Sequence, residues 1–353
     1  MNTLKLATYN INGIRTRLPV LLQWLAKDRP DIVCLQELKA EDHSFPVADL
    51  RAAGYGAVWH GQKSWNGVAI LARGATPVEP RRGLAGDPSD TQSRYIEAVA
   101  HGIVVGCLYL PNGNPQPGPK YDYKLQWMDR LIAHAAGLSR GGVPAAIVGD
   151  FNVIPTDLDV YNPKSWEKDA LMQPAVRERY ERLLAQGWTD ALRRRHPEGP
   201  IYTFWDYFRQ HWQRDAGLRI DHLLLNPELA PRLVDAGVDM IHCSQRRIWE
   251  AEFPEIDGEK GLNFAGWAKK LTGLPTISVG SVGLTSEFTG AFRGEGSKAG
   301  NFDNAIERLD KGEYDLVAVG RALLQDPDWV LKVKASKFDD LRDYDAGALK
   351  VYY

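Results

Sequence analysis

Several apolar, strand-like runs of this sequence end on polar side chains that could bind a metal ion and a phosphate group. Asn10, Glu37 and Asp150 each stand at the end of one run, and Asn152 follows two residues after Asp150. If the runs are neighbouring strands, these side chains meet at one edge of a sheet. Proteins usually hold magnesium through one or two carboxylates together with water and phosphate oxygens, which makes Glu37 the natural ligand.

Each of these residues also has a simpler explanation. Asparagine and aspartate commonly cap strand ends and form Asx turns, so any one position taken alone favours a structural role. The prediction of chemistry therefore depends on the whole set of residues.

The apolar periodicity predicts the elements that position these side chains. Strands are expected at residues 4–9, 31–36, 67–72, 96–100, 103–110 and 145–148, and helices at residues 18–26 and 125–136. Loops rich in Gly, Pro, Asn or Asp interrupt the pattern at residues 83–92 and 112–119. Sheets with helices outside them indicate a layered α/β or α+β domain.

The pattern changes beyond about residue 240. Strands expected at residues 238–243, 275–279 and 314–319 alternate with helices expected at residues 263–271 and 302–311. This βαβαβ order is typical of parallel sheets and barrels.

The composition is that of an ordinary globular protein. The chain has 353 residues and a net charge of −2, which gives no overall attraction to nucleic acid. Its three cysteines, Cys34, Cys107 and Cys243, show no close pairing, and we interpret them as buried thiols in a reducing cytosol. We find no leader sequence and no apolar run of membrane-spanning length, so we expect a soluble, cytoplasmic protein.

Five motifs together indicate a family. The segments are TYNINGIR, DIVCLQELK, YLPNG, GDFN and RIDHLLL, in this order. They resemble the exonuclease-endonuclease-phosphatase family, and more narrowly exodeoxyribonuclease III and its abasic-site endonuclease relatives, over about residues 3–239. Five ordered motifs are far more specific than one short pattern.

The resemblance implies a role for the residues at the strand ends. Glu37 would bind Mg²⁺ or Mn²⁺ with Asn10 beside it. Asp150 would activate or position the attacking water, and Asn152 would orient that water or the phosphate. A metal ion offsets charge on the phosphate and a carboxylate can serve as a general base, so the residue types suit this chemistry.

Four further residues are carried over from the same motifs. Tyr109 would contact the phosphate, and Asp221 would support the site. Lys39 and Asn112 fit as phosphate neighbours, although a solvated lysine and a turn asparagine explain them as well.

An aromatic stretch matches the place where relatives line a pocket for an extruded baseless sugar. It includes Phe204 and Trp205, with Leu218 and Ile220 following. Packing in the core is the alternative for all four side chains. The run of arginines at 193–195 could contact the DNA backbone, but a solvated helix face explains it better.

The family pattern breaks after RIDHLLL. Relatives close with a Ser-Asp-His-x-Pro motif, whose Asp-His pair faces the scissile phosphate, and with one last strand. No Asp-His pair follows RIDHLLL in this chain; the nearest downstream histidine is His242, and Asp239 would lie on the opposite face of the same strand. We therefore expect impaired activity and a sheet that lacks its closing strand.

The C-terminal segment resembles a different family. The segments VDMIHCSQRRIWE, LNFAGWAKKLTGLPTISVGSVGL and GEYDLVAVGRALLQDPDW resemble the C-terminal part of old yellow enzyme-type NADH:flavin oxidoreductases. In such (β/α)8 barrels, the loops after strands seven and eight bind the FMN phosphate, which implies Gly280, Gly320 and Arg321 here. Only about three of eight βα units are present, so FMN is not expected to bind.

The sequence therefore predicts two domains. Residues 1–239 form an α/β sandwich of the endonuclease-exonuclease-phosphatase type that lacks its last strand, and residues 240–353 form a partial (β/α)8 barrel joined to it as a chimeric fusion. We expect a nuclease acting on double-stranded DNA at abasic sites or 3′ ends, with no membrane partner. We expect a monomer unless the open edges of the partial barrel drive association. The alternatives are an FMN-binding oxidoreductase fragment and a catalytically dead DNA-binding fusion.

Overall fold

The computed structural model describes residues 3–205, 216–237, 241–245, 247–286, 294–300 and 302–350. The chain divides into two compact units, Met1–Arg15 with Trp24–Gly237 and Thr16–Gln23 with Val238–Tyr353. Within the described ranges, no helix is both long enough and apolar enough to cross a bilayer. The three cysteines are buried free thiols, which confirms the burial that their sequence context predicts.

The described strands and helices follow one another along the chain without a repeat. The strands are β1 (Leu6–Asn10), β2 (Ile32–Gln36), β3 (Tyr55–His60), β4 (Val68–Arg73), β5 (Val78–Arg82), β6 (Tyr95–Ala100), β7 (Ile103–Tyr109), β8 (Ala145–Asp150), β9 (Thr189–Asp190), β10 (Phe204–Trp205), β11 (Gly217–Leu218), β12 (Asp221–Leu225), β13 (Ile241–Ser244), β14 (Thr276–Val279) and β15 (Leu316–Val317). The helices are α1 (Ile14–Asp28), α2 (Val47–Ala52), α3 (Pro119–Arg140), α4 (Pro163–Trp166), α5 (Pro174–Leu184), α6 (Ala191–Arg195), α7 (Pro254–Asp257), α8 (Phe264–Thr272), α9 (Phe302–Asp310), α10 (Arg321–Gln325) and α11 (Trp329–Lys334).

Two sheets form the core of the first unit. One has the order β1-β2-β4-β3 and the other the order β5-β6-β7-β8-β12-β9. Side chains from both sheets share one apolar cluster, which includes Ile32, Ile70, Val105 and Val148. Helices α3 and α5 cover the other face of the six-stranded sheet. This arrangement confirms the predicted α/β class.

The strand β1 lies at the edge of its sheet and pairs with β2. All five of its residues are only partly buried. An edge strand presents backbone groups that have no strand beside them. Strand β1 is therefore an edge of its sheet within the part of the chain that the structure describes.

The second unit contains a three-stranded parallel sheet in the order β13-β14-β15. Asn263 caps the N-terminus of helix α8: its side chain accepts from Gly266 N at 2.9 Å and donates to Ile248 O at 2.9 Å. The predicted βαβαβ order is therefore confirmed. Residues 238–240 of the predicted first strand, Asp239 among them, and the side chain of His242 lie outside what the structure describes.

Most predicted elements are present with different ends. Helix α1 begins at Ile14, four residues before the predicted start, and α3 extends from Pro119 to Arg140. The sequence prediction missed β3, β5 and α5. Strand β5 has the sequence VEPRR and is almost fully exposed, so it carries no apolar alternation that could predict it.

A buried ion-pair network lies in the first unit around Arg219, which is 1% exposed. Its guanidinium donates to Asp159 Oδ1 at 2.7 Å and to Asp190 Oδ2 at 2.6 Å. Although burial opposes the shift, the bonds from Arg219 lower the pKa of Asp159 to about 2. This stabilisation is complete above the ordinary pKa of 3.8 and is lost as the pH falls toward 2.

We expect Arg219→Met to lower the free energy of unfolding by about 3–5 kcal/mol, because it leaves buried carboxylates without their cation. Urea denaturation at neutral pH measures the change. Arg82→Met is the control, because Arg82 pairs with Glu79 and Asp42 at an exposed position and should cost at most about 1 kcal/mol. Equal losses in the two variants would contradict the prediction.

Candidate active site

The side chain of Asn10 connects the ends of three strands. Its Nδ2 atom donates to Glu37 Oε1 at 3.1 Å and to Asp150 Oδ2 at 3.0 Å. Asn10 is the last residue of β1, Glu37 follows β2 directly, and Asp150 is the last residue of β8. The strand ends therefore converge as the sequence predicts, but they belong to two facing sheets, with β1 and β2 in one and β8 in the other, and not to one edge of a single sheet.

Tyr109, Asp150 and Asp221 lie side by side on β7, β8 and β12. The register pairs Tyr109 with Asp150, and Asp150 with Asp221. Alternate residues of a strand face the same side, and the inward residues behind this row, such as Val105 and Val148, belong to the core between the sheets. The same alternation that builds the core thus places three polar side chains at its open end.

Burial controls the protonation of the two aspartates. It raises the pKa of Asp221 to about 7. It also raises the pKa of Asp150 well above its ordinary range, and the neighbouring Asp221 carboxylate adds to that increase. Two crowded, buried carboxylates of this kind favour either a shared proton or a nearby cation.

Glu37 is in a different electrostatic environment. Its Oε1 accepts from the Tyr109 hydroxyl at 2.8 Å, and its Oε2 lies 2.9 Å from Lys39 Nζ. Although burial opposes the shift, the hydrogen bonds from Lys39 and Asn10 lower the pKa of Glu37. Glu37 is therefore an anion at neutral pH, which is the form that binds a metal ion. Lys39 also donates to Asn12 Oδ1, a contact that the sequence did not predict.

Asn152 is held by four hydrogen bonds. Its backbone N–H donates to Asp150 Oδ1 at 3.0 Å, and its Nδ2 donates to Leu110 O at 2.9 Å. Its Oδ1 accepts from Asn112 Nδ2 at 3.2 Å, and its carbonyl accepts from Lys124 Nζ at 2.6 Å. The structure therefore brings Asn112, predicted as a phosphate neighbour, into contact with Asn152.

The backbone at the site is unusual. Glu37, Lys39, Asn152 and Asn12 have φ values of 52°, 51°, 49° and 48°, in the left-handed region. Such conformations cost about 1–3 kcal/mol each for residues other than glycine and cluster at functional sites. Gly149 has φ 143°, and a Cβ there would lie 2.0 Å from Leu108 O, so the GDFN motif requires a glycine at this position.

The aromatic segment forms a short hairpin beside this row of residues. Phe204 pairs with Leu218 between β10 and β11. Leu218 and Ile220 are 2% and 6% exposed and belong to one apolar cluster. Phe204 and Trp205 are half-buried. Thr203, which the sequence analysis did not single out, accepts from the backbone N–H of Asp221 at 3.1 Å.

The residues present suit a hard divalent cation. Glu37 and Asp150 supply carboxylate oxygens within reach of one asparagine, and Mg²⁺ commonly uses one or two carboxylates with several waters. Across the described ranges, no group of three or more His, Cys, Asp or Glu side chains is arranged to hold a metal ion. Carboxylate and amide oxygens are the kind of donor that a hard, hydrated cation takes in proteins.

The residues predicted to hold an FMN phosphate lie in the second unit. A Cβ at Gly280 would lie 2.6 Å from Gln245 O, so the backbone packs closely there. Gly320 precedes α10, and Arg321 Nη2 donates to Ser281 Oγ at 3.0 Å and to Ser286 O at 2.7 Å. Arg321 is therefore engaged by protein atoms.

Comparison with known proteins assigns the N-terminal part of the chain to a protein family. Residues 7–240 match the endonuclease/exonuclease/phosphatase family. The chain therefore belongs to this family. The match ends at residue 240, and the resemblance of the following segment to flavin oxidoreductases stays a prediction.

Individual relatives narrow the assignment. Exodeoxyribonuclease III of Haemophilus influenzae is 33% identical over 67% of this chain and 92% of its own length. The structure of an AP endonuclease from Archaeoglobus fulgidus is 39% identical, with a TM-score of 0.62 over 65% of this chain and 89% of that one. A 3′ phosphatase from Neisseria, solved with a product DNA hairpin, is 40% identical, with a TM-score of 0.62 over the same shares. These homologues are enzymes, and they place the chain among DNA-repair nucleases of the exodeoxyribonuclease III and AP endonuclease type.

Proposed function

We propose that this protein is a metal-dependent DNA phosphodiester hydrolase acting at abasic sites and duplex 3′ ends. The observation that carries the proposal is the bridge from Asn10 to both Glu37 and Asp150. It joins a carboxylate that is anionic at neutral pH to one whose pKa is raised. A site of this kind has one group suited to a cation and another suited to proton transfer.

The proposed chemistry assigns one task to each residue. Glu37 and Asn10 hold Mg²⁺ or Mn²⁺, which when bound offsets charge on the phosphate. Asp150 accepts a proton from the attacking water, and the backbone N–H of Asn152 fixes the Asp150 carboxylate. Tyr109, whose hydroxyl donates to Glu37, contacts the phosphate. Asp221 supports the site, because its carboxylate adds to the raised pKa of Asp150. Lys39 and Asn112 lie beside these groups as phosphate contacts.

The proposed substrate follows from the hairpin that flanks the site. Phe204 and Trp205 present partly exposed aromatic surface, whereas Leu218 and Ile220 form the buried wall behind them. Extruding a sugar that lacks its base costs less unstacking and unpairing energy than extruding an intact nucleotide, which favours an abasic position at this wall. A product-bound relative supports a DNA substrate.

We further propose that the activity is impaired in this chain. Residues 1–239 would form the nuclease domain, and residues 240–353 a partial barrel of foreign origin. The family match that ends at residue 240 and the edge position of β1 support this boundary. Without the closing Asp-His pair, Asp150 and Asp221 work without the histidine that relatives supply.

The direct test is cleavage of a labelled duplex that carries one abasic-site analogue. We expect slow incision with Mg²⁺ or Mn²⁺ and none with EDTA. Incision that is equally fast in EDTA would contradict metal dependence. A folded protein that shifts the abasic duplex on a gel without cutting it under either metal would instead favour the alternative of a dead DNA-binding fusion.

We expect Glu37→Gln to raise the Mg²⁺ concentration needed for half-maximal cleavage at least tenfold, roughly. The variant removes the charge of the proposed ligand and keeps its size. A magnesium titration of the cleavage rate measures the effect. Glu41→Gln is the matched control, because Glu41 is exposed four residues away. An unchanged requirement in Glu37→Gln would exclude this residue as the ligand.

For the second unit, the parallel β13-β14-β15 sheet supports the partial barrel but not the flavin. Arg321, the proposed phosphate contact, already donates to Ser281 and Ser286. An FMN oxidoreductase fragment is the alternative function, and the contacts of Arg321 do not favour it. Absorbance near 450 nm in the purified protein would favour it.

A further inference from the structure

Lys124 is a buried basic residue that the proposed chemistry does not use. It lies on α3 and is 0% exposed. Its Nζ atom donates to Asn152 O at 2.6 Å and to Asn112 O at 3.0 Å. A lysine is rarely buried completely, and full burial requires specific partners for its polar atom.

The two acceptors belong to different segments that meet at the site. Asn112 lies in the loop after β7, and Asn152 follows β8 by two residues. Their side chains contact each other at 3.2 Å. One amine group therefore holds the backbone carbonyls of both residues, while their side chains hydrogen-bond to each other.

The side chain of Lys124 is closely packed. A Cβ at Gly113 would lie 2.7 Å from Lys124 Cδ and 3.2 Å from Ala170 Cβ. The glycine of the YLPNG motif thus gives the lysine stem room to pass. Burial lowers the pKa of Lys124 to about 7, and the amine keeps enough protons in either form to donate to both carbonyls.

We propose that Lys124 is a positioning residue of the nuclease, which fixes Asn112 and Asn152 in the geometry that the reaction needs. The inference rests on the proposed function and extends it to a residue outside the five motifs. A displacement of about 1 Å at a reacting group can cost on the order of 100-fold in rate, so the loss of this tether should affect turnover more than binding.

The test compares Lys124→Met with a control that loses a similar tether elsewhere. Asn226 is also 0% exposed, and its side chain accepts from Ala145 N at 2.9 Å and donates to Val143 O at 2.8 Å. It therefore holds the opposite end of β8, away from the site. Asn226→Leu should lower the melting temperature and leave kcat within about threefold of the wild-type value.

For Lys124→Met we expect kcat for abasic-site cleavage to fall about 10-fold to 100-fold, with KM changed less than about threefold. Asn112→Ala should lower kcat much less in the Lys124→Met background than in the wild type, because both changes disturb the same set of contacts. A folded Lys124→Met protein with wild-type kcat, or fully additive effects, would overturn the proposal. If Lys124→Met does not fold, the same measurements are made on Lys124→Gln. If neither variant folds, Lys124 has a structural role only and the proposal is overturned.

A second measurement separates this inference from the proposed function. In protein labelled with [¹⁵N]asparagine, the side-chain amide signals of Asn112 and Asn152 should shift in Lys124→Met and not in Asn226→Leu. This readout requires no cleavage. A wild-type protein that never cuts DNA would overturn the function, whereas unshifted amide signals would overturn the positioning role.

Discussion

Asp150→Asn is expected to reduce metal-dependent cleavage of the abasic duplex by about 100-fold to 10,000-fold. Asp150 is 4% exposed and accepts from both Asn10 Nδ2 and the backbone N–H of Asn152. The amide keeps the shape of the carboxylate but cannot take a proton from water. Single-turnover cleavage at saturating Mg²⁺ measures the loss, and a gel shift with the same duplex should show unchanged binding.

Asp157→Asn is the matched control for that experiment. Asp157 lies seven residues further along the chain, with its side chain 67% exposed and paired with Arg177. This change should leave the cleavage rate within about twofold, since exposed ion pairs contribute little. An Asp150→Asn protein that still cuts at the wild-type rate would remove Asp150 from the proposed chemistry.

The polar strand ends of the site could be predicted from the strands that precede them. A buried strand alternates in a period of two, and a polar residue that continues this alternation past the last apolar position faces the same side. Asn10 and Asp150 obey this pattern. Glu37 is one residue out of phase with Ile32 and Cys34 of the inner face, and its left-handed backbone, with φ 52°, turns it toward the site. The structure places all three polar residues within one hydrogen-bond network. The α/β class and the parallel order after residue 240 followed from the same periodicity.

Other parts of the site depend on pairings that the sequence does not specify. Thr203 meets Asp221, and Asn12 meets Lys39, only because distant segments come together. Lys124 did leave a signal, since it occupies the apolar face of α3 with Trp127 and Met128. A lysine at such a position is a reason to look for buried acceptors.

The sequence did not distinguish whether Leu218 and Ile220 form the wall of a substrate pocket or only pack in the core. Both are buried in one apolar cluster with Ile154 and Val160. A wall that receives a sugar must itself be packed from behind, so burial alone does not distinguish the two roles. Phe204, half-buried in the same hairpin, is the side chain whose substitution would report on the substrate.

Replacing residues 240–353 with the closing segment of a relative, which carries the Ser-Asp-His-x-Pro motif and the last strand, is expected to raise the cleavage rate. The increase should be about 100-fold to 10,000-fold, the usual contribution of an acid-base or phosphate-polarising group. Asp150 and Asp221 are already paired in register, and burial holds their pKa values above the ordinary range. The added segment would supply the missing group to an otherwise assembled site.

The control is the same graft with its Asp-His pair changed to Ala-Ala, which restores the strand without the chemistry. The strand should raise the melting temperature in both grafts, because β1, the last strand in its sheet order, would gain a hydrogen-bonded neighbour. Only the intact motif should raise the rate. Equal rates for the two grafts would mean that the missing strand, and not the missing Asp-His pair, limits this protein, and that the site formed by Asn10, Glu37 and Asp150 needs no histidine to act.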